Sequence, residues 1–496
     1  MAAPVQSALR FLCAVWVTAG SLRGDPIRRH PENPHWFDFN GRATALITSG
    51  EHYGAVINPD FDFRTYLESL QRDGMNYTRV FAGTYVEPAG AFGITRNTLA
   101  PGPGRFLSPW ARSDAPGYAG GGNRFDLHHL SEEYLTRRKT FLGVASRRGI
   151  VVELTLFCST YGTEQWAVHP LNPSNNVQSI PVADWRRLHT LTESPEPATP
   201  VFQVQEAVTR WLVRELNYFD NLIYEIQNEP WADNSSLGER INPYLTDRAG
   251  FPNAVEVTSA RSVAWQRALA RVIVDEERRL PKRHLIAQNV ANFRLALRES
   301  DLVPEAGLVQ FHYAFPEAVS WNRGAGVVLG FDETGFAGAE AAPYRRQAWN
   351  FLLEGGGLFN NLDYSFTPGH EDGSDTGNRA PGSGGAELRR ELRVLADFLG
   401  SFDLAGLRPD TQFVLASPGV VSRVLSDPGH AHAMYLEGRG PTAITVNLEK
   451  GMWKVDWIST HDGRVLGQGE IRRKEGGTVL ESPPFEESIA VRLSRP

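Results

Sequence analysis

The sequence predicts an α/β chain built as a (β/α)8 TIM barrel with a C-terminal antiparallel β-sandwich behind it, and three observations carry that expectation. Short apolar runs alternate with amphipathic helical segments between about residues 45 and 402, the pattern of parallel strands joined by helices. Two of the runs, residues 222–230 and 326–335, end abruptly in Glu229 and Glu333, and the C-terminal strand edge of a parallel barrel is where catalytic groups sit. From about residue 408 helical periodicity gives way to short alternating runs separated by turn residues.

Size and composition agree with two parts. A chain of 496 residues exceeds one typical domain and accommodates a barrel of about 250 residues or more plus a smaller module. Its net charge of −7, with no extended lysine- or arginine-rich run, lacks the electrostatic footprint of a nucleic-acid binder. Two cysteines, Cys13 and Cys158, make no disulfide framework and have no partners for a zinc site. Residues 11–20 form an apolar segment after Arg10 and before a polar, proline-rich stretch, too short to span a bilayer. Residues 1–24 are therefore expected to be a signal peptide, and the mature protein to be secreted or periplasmic with Cys158 as a lone buried thiol.

The elements follow in order. Asn40-Gly41 marks a hairpin turn within residues 35–42, expected as a small lid over the bottom of the barrel. Strand one is expected over residues 45–49 with its helix over 63–72, then strand two over 76–82, a long glycine- and proline-rich loop, and a helix over 132–148. Strand three, 150–157, precedes a helix bearing Val208, Trp211, Leu212, Leu216 and Phe219 at helical spacing. Strand four ends at Glu229 because Pro230 cannot continue its ladder, and a helix with Trp265, Leu269, Val272 and Ile273 on one face comes next. Strands five to eight fall at 284–289, 308–312, 327–332 and 357–362, closed by a helix striped with Leu388, Leu392, Leu395 and Leu399. Residues 315–325, where a sixth helix belongs, offer little periodicity. The barrel is assigned to residues 25–404 and the sandwich to 405–496, with strands near 413–415, 420–425, 433–436, 443–448, 454–459 and 489–493.

Glu229 and Glu333 stand about three βα units of about 30 residues apart, which sets them face to face across a barrel mouth. Retaining glycoside hydrolysis needs two carboxyl groups about 5–5.5 Å apart, one to protonate the leaving oxygen and one to attack the anomeric carbon. Glu229 is expected as the acid/base and Glu333 as the nucleophile, against the plainer reading of each as a turn-capping acid. Asp332, next to Glu333, is expected on the opposite face by strand alternation. Asn228 is expected on a sugar hydroxyl, with Arg79, His312, Tyr313, His52, Trp231 and Tyr364 as further substrate-binding candidates. Glu225 shares the parity of Glu229 deeper in its strand and reads as a buried acid that needs a cation, so that Arg79 serves either Glu225 or Glu333. Tyr53, Tyr161, Trp166, His169, Asn361 and Asp363 lie on strand ends and loops of the same edge. Residues 371–375, rich in acids, are expected as a solvated or sugar-contacting loop in preference to a calcium site, and neither metal nor cofactor is expected.

Tyr224-Glu225-Ile226-Gln227-Asn228-Glu229-Pro230 resembles the strand-four signature of the glycoside hydrolase clan A barrels, such as the family 5 cellulases and mannanases. In that clan the glutamate after asparagine is the acid/base and a glutamate ending strand seven is the nucleophile, roles the resemblance carries to Glu229 and Glu333. Met75-Asn76-Tyr77-Thr78-Arg79-Val80 resembles the strand-two segment whose arginine supports the nucleophile, and Phe311-His312-Tyr313 resembles the strand-six segment. Strand three ends Leu156-Phe157-Cys158 without the usual histidine, and strand eight lacks the stacking tryptophan. The C-terminal part resembles the small β-sandwich of many such enzymes, including the apiosidase-like ones. The resemblance implies a retaining hydrolase that cleaves a β-linked oligo- or polysaccharide by double displacement. The alternatives are a non-catalytic carbohydrate-binding barrel and a metal-dependent barrel hydrolase, the latter opposed by the lack of a His-x-His on strand one.

Overall fold

The computed structural model describes residues 24–496 apart from 51–52, 192–198, 234, 242–251, 379–381, 383 and 474–476. Residues 1–23 of the expected signal peptide and the candidate His52 lie outside the described residues. No helix among the described residues is long and apolar enough to cross a membrane.

Eight parallel strands form the barrel wall: β1 (Leu46–Ser49), β2 (Tyr77–Phe81), β3 (Val151–Cys158), β4 (Leu222–Asn228), β5 (Leu285–Asn292), β6 (Leu308–His312), β7 (Val328–Glu333) and β8 (Leu358–Asn361). Hydrogen-bonded ladders run from β2 in order to β8 and on to β1. Between β1 and β2 the side chain of Asn76 closes the ring. Its Oδ1 accepts from the Ile47 N–H at 2.8 Å and its Nδ2 donates to the Ala45 carbonyl at 2.8 Å. A side-chain amide carries the same donor and acceptor as a peptide unit, so it extends the one backbone bond from the Asn76 N–H to the Ile47 carbonyl at 3.3 Å.

Six helices of ten residues or more cover the outside: α1 (Phe63–Arg72), α2 (Glu132–Arg147), α3 (Pro200–Leu216), α4 (Ala260–Glu277), α5 (Ala341–Leu353) and α6 (Ala386–Gly400). Asp62, Ser131, Thr199 and Ser259 cap the first four, each side chain accepting a first-turn N–H. Where residues 315–325 lack periodicity, the chain makes only a single turn, Glu317–Ser320. Two hairpins stand outside the sequence expectation: Trp110–Pro116 with Asn123–Leu130 in the loop after β2, and Ser235–Arg240 with Ala254–Thr258 after β4.

The barrel interior is apolar below and charged above. Leu46, Tyr77, Val151, Ile223, Ala287, Leu308, Val328 and Leu358, one from the start of each strand, form the bottom layer. Ile27 and Phe37 of the N-terminal segment join it from beneath, placed by a three-stranded sheet whose hairpin turns at Asn40 and Gly41, both at positive φ. Chain entry therefore plugs the end of the barrel opposite the strand termini that carry Glu229 and Glu333.

Beyond α6 a six-stranded and a three-stranded antiparallel sheet enclose a second core that includes Met434, Leu436, Ile444, Trp453 and Val491. The central strand Ala431–Gly438 is buried on both faces. Met434 and Leu436 point into the sandwich, while Ala433 and Tyr435 join the barrel's core cluster, with Tyr435 stacked on Trp349 of α5 at 5.4 Å. Period-two alternation thus divides one strand between two cores.

Candidate active site

Local backbone irregularities aim the two glutamates. Glu229 is the first residue past β4 and holds φ at 46°, a left-handed conformation that costs a non-glycine residue on the order of 1–3 kcal/mol. Neighbours fix it: its N–H donates to Asn289 Oδ1 at 3.2 Å and its carbonyl accepts from Ser159 Oγ at 2.6 Å. On β7 the pairing with β6 slips, Phe311 opposite Phe331 but His312 opposite Glu333, so Asp332 has no cross-strand partner. This bulge corrects the alternation expected for Asp332, because the extra residue lets two successive side chains face inward. Asp332 is fully buried inside the barrel, with Oδ2 accepting from Asn289 Nδ2 at 3.1 Å and lying 3.5 Å from Arg79 Nη2.

The structure brings the glutamates together. Ligand atoms of Glu229, His312 and Glu333 lie within 4.8 Å of one another. The Tyr313 hydroxyl donates to Glu333 Oε1 at 2.7 Å and stands 3.4 Å from Glu229 Oε1, bridging the pair. His312 Nδ1 is 3.0 Å from Glu229 Oε1 and 3.5 Å from Glu333 Oε2. Tyr161 donates to Glu229 Oε2 at 2.7 Å and accepts from Asn228 Nδ2 at 2.8 Å. Tyr53 donates to Glu333 Oε2 and accepts from Arg79 Nη1 at 2.7 Å.

Arg79 serves both acids that sequence offered as alternatives. Fully buried on β2, it donates through Nε and Nη2 to Glu225, through Nη2 to Asn228 Oδ1 at 2.7 Å, and through Nη1 to Glu333 Oε2 at 3.3 Å. Burial by itself pushes the Glu333 carboxyl up, yet the His312 imidazolium, Arg79 and Tyr53 outweigh it and hold Glu333 down to about 2. Burial likewise pulls His312 down, and the carboxylates of Glu333 and Asp332 reverse that, raising it well above the usual imidazole range. The resting site therefore pairs an ionised Glu333 with a protonated His312.

Beneath them Glu153, Glu225 and Asp332 form a fully buried acidic layer. Burial, then the charges of Glu225 and Asp332, push Glu153 well above the carboxylate range, and burial raises Glu225 as well, against the pull of Arg79. Either triad has the residue types of a cation site. Both already contain one: Arg79 is bidentate on Glu225 and within 4 Å of Asp332 and Glu333, and His312 lies between Glu229 and Glu333. A divalent ion would be repelled by these cations and would need carboxylate oxygens at about 2.0–2.2 Å.

A cavity of about 100 Å³ opens above the glutamates, lined by Asn228, Glu229, Glu333, Tyr53, Tyr161, Tyr364 and residues of the loops after β2 and β8. Trp231 is absent from its lining: it is buried and packs edge-on against His312, ring centres 5.1 Å apart, so it braces that imidazole from behind. Trp166 packs on His169, also away from the cavity, and Cys158 is buried beside Asn228 and Tyr161. Asp363 is tied to Arg389 of α6 and to Ser49. In the acidic loop Asp375 is committed to Arg96. Sequence reasoning missed Asn289, which orients both Glu229 and Asp332, and the cavity residues Glu87, Arg96 and Asn97. Asn289 sits at the predicted end of strand five and was open to the edge rule that found the glutamates, whereas the loop residues follow no periodicity.

The sequence matches no protein-family model and no curated protein. Solved structures do match in shape. A glycoside hydrolase family 5 structure from Bacteroides vulgatus ATCC 8482 superposes with a TM-score of 0.61 at 12% identity, over 95% of this chain and 93% of that one. A second structure from the same organism gives 0.63 at 14%, over 96% and 83%, and another glycoside hydrolase gives 0.58 at 12%, over 95% and 97%. Likeness at such identity is likeness of architecture: over nearly its whole length this chain has the fold of those glycoside hydrolases.

Proposed function

We propose that the protein is a retaining glycoside hydrolase in which Glu333 attacks the anomeric carbon and Glu229 moves the proton. One observation carries this: two carboxyl groups at the C-terminal strand edge, one oxygen of each within 4.8 Å of the other's, with the Tyr313 hydroxyl between them. Double displacement uses carboxyls about 5–5.5 Å apart, whereas inversion leaves about 6.5–9.5 Å for a water. The fold shared with glycoside hydrolases supports the same reading.

The two acids have unlike surroundings, as the two roles require. Glu333, held ionised by Arg79, Tyr53 and His312, forms the bond to the anomeric carbon as the bond to the leaving oxygen breaks. That oxygen takes a proton from Glu229, whose Oε1 shares a hydrogen bond with His312. With Glu333 held as an ester, Glu229 takes a proton from the incoming water as that water attacks the anomeric carbon. Water then cleaves the ester and restores both groups. In the same reading the Asn228 amide, held between Arg79 and Tyr161 on the cavity wall, hydrogen-bonds the ring's 2-hydroxyl. The same proposal takes residues 25–404 as the catalytic barrel, 405–496 as an accessory sandwich, a β-linked glycan as substrate, and residues 1–24 as an export signal.

The test is proton NMR of the first anomer released from an activated aryl glycoside, with alanine variants beside it. Retention is expected, with Glu229→Ala lowering turnover by about 10²–10⁴-fold and Glu333→Ala removing it. Inversion, or full activity in either variant, would overturn the proposal.

A further inference from the structure

The cavity above the glutamates is lined unevenly around the barrel rim. Among the described residues its lining comes from the ends of β1, β2, β3, β4, β7 and β8 and their loops, and none of it from those of β5 and β6. Glu229 stands at the border between the two sides, so a leaving group protonated by it departs over β5 and β6.

The opposite side is shut by a tie between the loops after β2 and β8. Arg96 donates through Nε and Nη2 to the two oxygens of Asp375, at 2.7 Å for Nε. Asp375 is 7% exposed and is fixed in turn by Thr367 Oγ1 at 2.6 Å and the Gly377 N–H at 2.9 Å. Thr95 reaches Asn378 beside it. The Arg96 side chain is 44% exposed, and the two-point fork on the buried Asp375 carboxylate fixes its direction.

Arg96 and Asn378, which belong to the tied loops, line the same cavity as Glu229 and Glu333. Glu87, 7% exposed, lines the cavity with a carboxylate that accepts from Tyr85 at 3.2 Å and from Asn97. A carboxylate offers about four acceptor sites, so two remain for a ligand. Burial raises Glu87 to about 7, which lets it accept from hydroxyls or donate to them near neutral pH.

We propose that this site takes the single sugar residue at the non-reducing end of a glycan, that the Arg96–Asp375 tie excludes a longer chain beyond it, and that Glu87 reads the hydroxyls of that terminal ring. The inference rests on the assignment of Glu229 and Glu333 and deepens it to an exo-acting mode.

A panel of 4-nitrophenyl monoglycosides identifies the sugar. Reducing-end-labelled tri- to hexasaccharides of that sugar are then digested, with and without a methyl group on the terminal 4-hydroxyl. The wild-type protein is expected to remove one residue at a time and to cleave the methylated set at least about 100-fold more slowly, because a site built to bind a hydroxyl leaves its own groups unpaired without one. Asp375→Ala is expected to narrow that ratio by about 10-fold or more, and Glu87→Ala to lower kcat/KM on the unmethylated set by about 10–100-fold, the worth of one hydrogen bond to a charged group. Internal fragments from wild-type protein, or equal rates on both sets, would overturn the exo mode and leave the hydrolase assignment standing. Lack of turnover on the whole panel and on the oligosaccharides would instead remove that assignment, and the exo mode with it.

Discussion

His312 links the chemistry to pH more tightly than any other residue of the site. Unfolded, an imidazole titrates near about 6.5; folded among Glu229, Asp332 and Glu333 it keeps its proton to higher pH. Its contribution to stability is therefore complete below about pH 6.5 and is lost as pH rises through the folded value, at a slope of up to about 1.4 kcal/mol per pH unit. Glu333 behaves oppositely. Its folded value of about 2 lies below that of an unfolded glutamate, so its contribution is present above about pH 4.3 and is lost as pH falls towards 2. Thermal melts across pH 5–10 should show the wild-type protein losing stability on the alkaline side and His312→Asn losing far less there. Superimposable alkaline limbs would refute the charged imidazole. The couple explains why Trp231 is packed against His312 and away from the cavity: an imidazole held in one orientation serves both glutamates at once.

Elements were legible where periodicity is strong and obscure where a side chain replaces a backbone rule. α1 runs over Phe63–Arg72 and β6 over Leu308–His312, as hydrophobic spacing predicts, and each remaining barrel strand lies within a few residues of its expected place. Asn228-Glu229-Pro230 and Asp332-Glu333 marked the strand edge where the two glutamates meet, because acids ending apolar strands are conspicuous. Alternation failed at Asp332, since a bulge inserts one residue without any signature in the local pattern. It was equally silent on the loops after β2 and β8, whose tie depends on two segments about 280 residues apart in sequence, Arg96 and Asp375 being separated by 279 positions. Asn76 is a similar case, an ordinary strand-start amide that closes the barrel by bonding Ile47 and Ala45. Asn76→Ala leaves a donor and an acceptor unmatched at the β1–β2 seam, at about 1–3 kcal/mol for each group that stays dry. Chemical denaturation should show a loss of about 2–4 kcal/mol; a change below about 0.5 kcal/mol, typical of surface substitutions, would mean that the seam is held by other contacts.

At the scale of the whole molecule, the sandwich meets the barrel at the outer helices. Among the described residues, those lining the cavity end at Asn378, before α6, and none belongs to the sandwich. What it does touch is α5, the helix between β7, which ends in Glu333, and β8, whose loop carries Tyr364 and Asp375. Arg345 of α5 is 1% exposed and joins Glu391 of α6 at 2.6 Å, Glu487 of the sandwich, and His461 at 2.8 Å, next to the stacked Trp349 and Tyr435. Removing one partner of a buried ion pair costs about 3–5 kcal/mol because the other charge stays behind unpaired. Arg345→Ala should therefore split a single calorimetric transition into two, with the sandwich and the barrel unfolding separately, while kcat measured well below the first transition stays close to wild type. A variant that melts in one step at the wild-type temperature would show that the shared core around Tyr435 and Trp349 suffices alone. A variant that loses kcat while still folded would mean instead that bracing of α5 reaches Glu333 through β7, and that the two cores are coupled in function as well as in stability.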